Sequence, residues 1–186
     1  MSKALIIYGT RYGATASTSE EIAKVLRQEG LDVQVVNAKE QKVNSIAEYD
    51  LVVVGSGIQI NRWTSEPEKF LKKFQKELAT KKLALFVCCG SASTNQPDEL
   101  AKAKRKYLDE KAANYNLQPV ALGFFGGVYN YNKEPWWAKK AMEMDRPRIQ
   151  ATYKAIQPGI YDTRDWDVIR SWAKELAQSY SANFQK

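Results

Sequence analysis

Two glycines and two threonines stand close together near the N-terminus of this chain, in a short loop at residues 9–15. An apolar run, Leu5-Ile6-Ile7, leads into the loop, and a segment with helical periodicity follows it at about residues 19–28. In such an arrangement the N–H groups of the loop and of the helix N-terminus point at one anion, and the helix dipole adds partial positive charge. Threonine hydroxyls donate to phosphate oxygens, and a glycine brings the backbone close. The residue types therefore predict a phosphate site.

The spacing within the loop excludes two common kinds of phosphate site. A dinucleotide fingerprint requires G-x-G-x-x-G, whereas Gly9 and Gly13 stand four residues apart. A nucleoside-triphosphate loop requires a lysine directly after its second glycine, and Ala14 stands at that position. What remains is a cradle of backbone amides and hydroxyls, which suits one terminal monophosphate. The alternative is an ordinary strand-to-helix turn without a ligand.

Strand and helix signals alternate along the chain and predict an α/β fold. Apolar runs predict five strands at about residues 3–8, 31–36, 51–54, 83–88 and 120–125. Alternation of this kind predicts a doubly wound parallel sheet with right-handed crossovers and helices on both faces. With the order 2-1-3-4-5, the ligand lies at the carboxyl ends of the strands near the switch point. Four strand ends there are rich in small, polar or aromatic residues, at 9–15, 55–63, 89–95 and 126–131.

Helix signals fill the intervals between the predicted strands. Gly30 is a favourable stop for the first helix. Further helices are predicted to begin at Pro67, with a buried stripe of four apolar residues, and at Pro97, running to about Asn114. The remaining predictions are short helices around Ile46 and at 136–144, and a final helix capped by Asp162 or Thr163.

The hexapeptide Thr10-Arg11-Tyr12-Gly13-Ala14-Thr15, directly after an N-terminal strand, resembles the FMN-phosphate loop of the flavodoxin family. Its T-R-x-G-x-T form is similar to one branch, the flavodoxin-domain proteins related to menaquinone-dependent protoporphyrinogen dehydrogenase. The likeness is weaker at Thr163-Arg164-Asp165-Trp166 and loose between residues 126 and 161. The resemblance implies that the hexapeptide holds one FMN. It also implies one flavodoxin-like domain over residues 1–186, with a five-stranded parallel sheet and an aromatic-rich inserted segment at about 126–161.

A flavin also requires a planar slot and backbone groups at the edge of its ring. Candidates for the slot are Ile58 and Trp63 after the third strand, and Tyr129 or Tyr131 after the fifth. An aromatic ring stacked on the flavin would add about 0.5–1.5 kcal/mol beyond its buried area. The alternative is that Trp63 packs as a cap over the following helix and does not contact a flavin. Residues small enough to let the backbone approach the ring are Ser56, Gly57, Cys89, Gly90, Ser91 and Gly127.

The amino-acid composition excludes further kinds of catalytic and metal-binding chemistry. The chain of 186 residues has no histidine, which excludes histidine acid–base catalysis and histidine metal sites. Its only cysteines, Cys88 and Cys89, are adjacent, so a disulfide between them would be strained. Free thiols suit a reducing compartment, and the first strand begins almost at the N-terminus. We therefore expect a cytoplasmic protein without a signal peptide.

The formal net charge of +7 departs from the acidic character of electron-carrier flavodoxins. A basic surface favours an acidic partner or an anionic membrane; the alternative is a solvated surface with excess lysine. The lysines are spread over several predicted helices, and we expect no nucleic-acid partner. Aromatic and lysine residues of the inserted segment suit a flat acidic tetrapyrrole or a bilayer surface, or else form a cover over the sheet edge. The residues in question are Tyr129, Tyr131, Lys133, Trp136, Trp137, Lys139 and Lys140.

Three functions follow from these expectations. The first is an FMN-dependent oxidoreductase that passes electrons from a reduced substrate, such as a porphyrinogen, to a quinone. The second is an electron-carrier flavodoxin that docks with a redox partner protein and has no substrate of its own. The third is a non-redox FMN or phosphate-binding module. Whether the protein is an enzyme stays open at this point.

Overall fold

The computed structural model describes residues 2–133 and 139–181. Its main sheet contains strands β1 (Lys3–Gly9), β2 (Asp32–Asn37), β3 (Leu51–Gln59), β4 (Arg62–Trp63), β5 (Lys82–Cys88) and β6 (Ala121–Phe125). Five of these strands run parallel in the order β2-β1-β3-β5-β6, while the two-residue β4 pairs antiparallel with β3. Counted along the chain without β4, this order is the 2-1-3-4-5 order that the sequence predicts, and the prediction is confirmed.

Helices cover both faces of the sheet, as predicted. They are α1 (Ala14–Gln28), α2 (Ser65–Lys73), α3 (Gln75–Leu78), α4 (Pro97–Lys104), α5 (Glu110–Asn114), α6 (Lys139–Thr152) and α7 (Trp166–Ser181). A π-helical turn joins α4 to α5. The β-branched run of β3 is buried on both faces, because its alternate residues face opposite sides of the sheet. Val53 packs with α1 and α7, whereas Val52 packs with α2 and the α4–α5 region.

The first helix begins five residues earlier than the predicted start at Ser19. Hydroxyl side chains predict a helix poorly because they compete for backbone hydrogen bonds. Here Ser19 Oγ donates within the helix to the carbonyl of Thr15 at 2.8 Å, so the hydroxyl is satisfied. The helix ends as predicted at Gly30, whose φ is +90°. The N–H groups of Gly30 and Leu31 close the last turn onto the carbonyls of Arg27 and Leu26.

Other predicted elements differ in their bounds. No helix forms around Ile46, since the N–H of Ala47 donates to Ser45 Oγ and that of Tyr49 closes a turn onto Ile46. The predicted third strand continues past residue 54 to residue 59. The final helix is capped by Asp165, which accepts the N–H groups two and three residues later at 3.0 and 3.1 Å. The predicted caps Asp162 and Thr163 have other partners.

A second, smaller sheet is built from the segment that follows β6. Its strands β7 (Val128–Asn130), β8 (Ala155–Gln157) and β9 (Ile160–Asp162) pair antiparallel in the order β7-β9-β8. Together with α6, which is longer than the predicted short helix, this sheet buries Tyr129, Ile149 and Tyr161. Trp136 and Trp137 lie outside the described residues. Among the helices that are described, none has the length and hydropathy needed to cross a bilayer.

Candidate functional site

A cleft lies at the carboxyl ends of the parallel strands, where the sequence predicts the ligand. It has a volume of about 110 Å³ and is lined by residues from all four of the predicted loops. Residues of the phosphate loop (residues 10–15) form one wall, and Gly57 and Ile58 of β3 form another. Cys89, Gly90 and Gly127 follow β5 and β6. The fold thus brings together most of the site residues that the sequence singles out.

The phosphate loop leads straight into the N-terminus of α1. Gly13 is the N-cap residue and has a φ of +92°, a left-handed conformation that glycine adopts readily. Its N–H donates to Thr10 Oγ1 at 3.0 Å, which closes the loop. Within the described chain, α1 has no side-chain cap and no acidic residue in its first turn. The N–H groups of this turn and the positive end of the helix dipole therefore form a site for an anion.

The space beside the loop depends on the absence of a side chain at Gly57. A Cβ atom at Gly57 would lie 3.2 Å from the hydroxyl of Thr15, which is almost completely buried. The glycine thus leaves room next to this hydroxyl, beside the first turn of α1. Amide and hydroxyl donors around a small cradle are the groups that a phosphate monoester requires. The residues present therefore fit the terminal phosphate of FMN.

Arg164 supports this helix terminus from behind and was not identified as a site residue from the sequence. Its Nη1 atom donates to the carbonyl of Ala14 at 2.8 Å and to Ser17 Oγ at 2.6 Å. Its guanidinium also pairs with Asp162 at 2.8 Å, and its side chain is only 7% exposed. A buried cation therefore fixes the first turn of α1. The signal for it in the sequence is the fair likeness to the flavodoxin family at residues 163–166, which gives no role for the arginine.

A second anchor joins the neighbouring loops. Thr163 exchanges hydrogen bonds with Gly127: the N–H of Gly127 donates to Thr163 Oγ1 at 3.1 Å, and the N–H of Thr163 donates to the carbonyl of Gly127 at 2.9 Å. Gly126 packs so closely that a Cβ atom there would lie 2.2 Å from the carbonyl oxygen of Thr163. The two glycines after β6 therefore hold the segment before α7 against the cleft.

The cleft continues into a wider slot of about 240 Å³. Tyr12, Ile58, Gly90, Gly127 and Val128 line both spaces, so the two form one continuous opening. Tyr129 lines the wider part, and the exposed ring of Tyr12 stands at the rim. A flat ring system attached to the phosphate would extend into this slot.

Three of the residues predicted to contact the cofactor lie elsewhere. Ser56 is fully buried, and its hydroxyl accepts the N–H of Thr64 at 3.0 Å. Trp63 is buried with its indole N–H donating to the carbonyl of Tyr107 at 2.9 Å, and it does not line the cleft or the slot. Ser91 lines the neighbouring cavity described below. Ser56 and Trp63 both belong to the β3–β4 hairpin, and its pairing directs their side chains away from the cleft.

Tyr129 occupies the space that Gly90 was expected to leave for the ring. A Cβ atom at Gly90 would lie 2.5 Å from the hydroxyl of Tyr129, which donates to Asp145 Oδ2 at 3.3 Å. Burial raises the pKa of Tyr129, so its hydroxyl stays protonated at neutral pH. The alternative candidate, Tyr131, stacks on Tyr129 with ring centroids 6.1 Å apart and does not line the slot.

A third space, the substrate-side cavity, opens from the slot and has a volume of about 520 Å³. Ile58, Gly90, Tyr129 and Met142 are shared with the slot. The other lining residues include Tyr107, Asp145, Arg148, Ile60 and Asn61. The hydroxyl of Tyr107 donates to Asn61 Oδ1 at 2.6 Å. Arg148 pairs with Asp145 at 3.2 Å. The lining of the cavity therefore combines apolar side chains with a few hydrogen-bonding and charged groups.

Neither cysteine is suited to nucleophilic chemistry. Both thiols are free and buried. Burial raises the pKa of Cys88 to about 11 and that of Cys89 to about 12, so both remain protonated at neutral pH. Cys88 is a core residue, as expected, and its thiol donates to Thr18 Oγ1. In the part of the chain that the structure describes, no group of three or more acidic or thiol side chains is placed to hold a metal ion.

Residues 5–148 match the sequence profile of the flavodoxin domain. The chain belongs to the flavodoxin-domain family. Over 181 residues, which cover 94% of each chain, it is 24% identical to protoporphyrinogen IX dehydrogenase [quinone] of Escherichia coli K12. A flavodoxin from the domain Archaea superposes with a TM-score of 0.53 at 18% identity, covering 95% of this chain and 97% of the other. A Fusobacterium nucleatum flavodoxin bound to flavin mononucleotide gives a TM-score of 0.54 at 13% identity, with coverages of 98% and 99%. The fold is thus flavodoxin-like.

Proposed function

We propose that this flavodoxin-domain protein binds one FMN, with its phosphate at residues 10–15, and transfers electrons through it. The observation that carries the proposal is the uncapped N-terminus of α1 behind Gly13, opposite the side-chain-free surface of Gly57. FMN is favoured over a dinucleotide because the cradle suits a terminal monophosphate and the G-x-G-x-x-G spacing is absent. FMN would supply the redox chemistry, whereas the protein supplies binding, orientation and electrostatics.

The protein's own groups would act in distinct ways on this cofactor. The amides of the first turn of α1 and the hydroxyl of Thr15 would hold the phosphate, while Arg164 keeps that turn in place. Ile58 and Tyr129 would bound the ring, with the peptide at Gly57 near its edge. The chain has no histidine, so a proton donor would have to be another group, such as Lys133 at the slot or the hydroxyls of Tyr107 and Tyr129.

The substrate-side cavity favours an oxidoreductase with a small organic partner. A space of about 520 Å³ next to the slot is in the usual range for small-molecule sites and combines an apolar side with a few polar groups. The similar E. coli protein is named protoporphyrinogen IX dehydrogenase [quinone], which supports a quinone acceptor and a porphyrinogen-like donor here. Two free thiols suit a reducing compartment, and we place the reaction in the cytoplasm.

The second candidate is an electron carrier that docks with an acidic redox partner. It is favoured by the exposed side chains of Tyr12 and Ile60, which stand at the rim of the spaces described above. Arg11 and Arg62 lie close to them, and the net charge of the chain is +7. The same basic, partly apolar rim would also allow peripheral contact with an anionic membrane.

Anaerobic titration of the FMN-loaded protein distinguishes the two candidates. An oxidoreductase acting on a quinone is expected to take up two electrons in one step and to be reoxidised by a soluble naphthoquinone at a saturable rate. Two well-separated one-electron steps, with no saturable reaction with the quinone, would instead identify a carrier. A protein that binds no FMN would refute both candidates.

A further inference from the structure

A further concavity of about 550 Å³ lies beside the phosphate loop and shares Ile60 with the substrate-side cavity. We call it the lateral concavity. It shares Thr10 and Arg11 with the cleft, and its other charged residues are Lys39, Arg62 and Glu66. Three cations and one carboxylate therefore surround a space that adjoins the proposed phosphate position.

The three cations have no acidic partner in the described part of the chain. Neither Arg11, Lys39 nor Arg62 takes part in an ion pair or a side-chain hydrogen bond there. The carboxylates on the other side of Arg62 are used elsewhere, because Glu68 pairs with Lys111 and Glu110 pairs with Arg105. The positive charge is thus left to act on the concavity.

Glu66 is the single carboxylate that lines the concavity, so it can offset only one of the three positive charges. Its Oε1 atom accepts the hydroxyl of Ser65 at 2.8 Å. Partial burial acts to raise the pKa of Glu66, but the bond from Ser65 and the nearby Lys69 and Lys39 lower it overall. Glu66 is therefore ionised at neutral pH, and the lining keeps an excess of positive charge.

The hairpin that carries Arg62 is fixed in an unusual conformation. Ile60 and Asn61 at its tip have φ values of 47° and 58°, although a β-branched residue rarely adopts positive φ. Tyr107 holds the hairpin from both ends, through its hydroxyl to Asn61 and its carbonyl to Trp63. Backbone strain of this kind persists where the surroundings enforce it, and it is frequent at ligand-binding sites. Arg62 is therefore presented from a fixed support.

We propose that the lateral concavity is an anion subsite, which binds a phosphate or carboxylate group of the molecule that exchanges electrons with the flavin. The planar guanidinium of Arg62 can donate two parallel hydrogen bonds to either group, and Lys39 adds a point charge. The assignment to an electron-transfer substrate rests on the proposed function. Binding of an anion by the concavity does not.

The binding test titrates inorganic pyrophosphate into the FMN-loaded protein at constant ionic strength and measures binding by isothermal titration calorimetry. We expect saturable binding that Arg62→Gln and Lys39→Gln each weaken roughly tenfold, the loss of one charge-assisted hydrogen bond. Lys72→Gln removes the same charge from an exposed position in the last turn of α2 and should leave the affinity within about twofold. FMN affinity should stay within about twofold in all three variants, because none changes the phosphate loop.

Two results would overturn the subsite. One is the absence of saturable pyrophosphate binding; the other is an equal loss in Lys72→Gln, which would indicate diffuse attraction to a basic surface. Failure of the proposed function is seen separately, as failure to load FMN. In that case the same variants are compared in the flavin-free protein, where a selective loss in Arg62→Gln and Lys39→Gln still supports the subsite.

Steady-state kinetics distinguishes the sources of the anion. NADPH and NADH differ by one phosphate group, and a naphthoquinone with a carboxylate can be compared with a neutral one. If Arg62→Gln raises KM for NADPH alone, the anion is a donor phosphate; if it raises KM for the carboxylated quinone alone, it is an acceptor carboxylate. Unchanged KM for all four would overturn the assignment to an electron-transfer substrate.

Discussion

The parallel sheet and the small antiparallel sheet β7-β9-β8 border the same cleft but are built very differently. The parallel sheet has a large buried cluster on each face, with helices packed over both. Among the described residues, the antiparallel sheet and α6 bury just Tyr129, Ile149 and Tyr161 in their own cluster. The side of the cleft at residues 10–15 therefore rests on an extensive core, whereas the side at β7 rests on a small cluster. We infer that the first region sets cofactor affinity and the second region sets access to the ring.

The largest expected effect is on stability, when one fully buried isoleucine in each region is truncated to alanine. Ile149 and Ile169 are both fully buried, and replacement of either by Ala should cost about 2–5 kcal/mol of packing. Ile169→Ala should lower the free energy of unfolding of the whole protein. Ile149→Ala should mainly open the small sheet, because few contacts join it to the main core.

Hydrogen exchange measured by mass spectrometry checks this difference. In Ile149→Ala, we expect faster exchange in β7, β8 and β9 with unchanged protection in β1 and β3. Equal loss of protection in β1 and β3 in the two variants would show that the regions unfold as one unit, and the comparison would then be wrong.

A smaller effect is expected at the seam between the two regions. Gly126→Ala would place a Cβ atom 2.2 Å from the carbonyl oxygen of Thr163, and overpacking of this kind costs about 1–3 kcal/mol. Gly127→Ala is the control, since its nearest contact would be an ordinary 3.6 Å. Urea denaturation should show a clearly lower midpoint for the first variant alone. Equal urea midpoints in the two variants would show that the backbone at the seam adjusts to the added methyl group without loss of stability.

Arg164→Met tests whether the buried cation positions the phosphate site. Loss of its bonds to Ala14 and Ser17 should weaken FMN binding roughly tenfold. Riboflavin, which lacks the phosphate, should bind with unchanged affinity. Arg170→Met is the matched control, because Arg170 also contacts α1, from α7 through Glu21, but is about half exposed. An equal loss of affinity for FMN and for riboflavin would show that Arg164 stabilises the fold in general and does not position the phosphate site.

The smallest expected effect is a gain in stability at the β3–β4 hairpin. Ile60→Gly removes a side chain from a residue with a φ of 47° and should stabilise the protein by about 0.5–1 kcal/mol. Ile156→Gly, at a similarly exposed position in β8, should instead destabilise it by about the same amount. Urea midpoints that fall in both variants would show that the tip of the hairpin is not strained.

The parts of the site that the sequence predicts are those whose residues are contiguous. The phosphate loop, Gly13 and the helix stop at Gly30 depend on neighbours within a few residues, so local chemistry specifies them. The order of the parallel strands is expected from the resemblance to the flavodoxin family, and the composition of the strand ends agrees with it. These predictions required no knowledge of distant contacts.

The parts that the sequence does not predict depend on distant partners. Arg164 reaches Ala14 from 150 residues away, and no local pattern indicates this contact. Gly55-Ser56-Gly57 resembles a loop, yet β1 and β5 pair with it and extend β3 as far as the hairpin. That extension directs Trp63 to Tyr107 instead of to the cleft. Tertiary pairing here outweighs the loop propensity of glycine and serine.

Phosphorus-31 NMR of FMN bound to the protein tests the central claim most directly. The phosphate of free FMN titrates near pH 6, with a second pKa of about 6. The amides at the N-terminus of α1 and the hydroxyl of Thr15 favour the dianion and should lower that pKa. We predict a separate bound signal whose shift stays constant from about pH 8 down to about pH 5. A bound signal that titrates as free FMN does, or no bound signal at all, would contradict the assignment of the phosphate to residues 10–15.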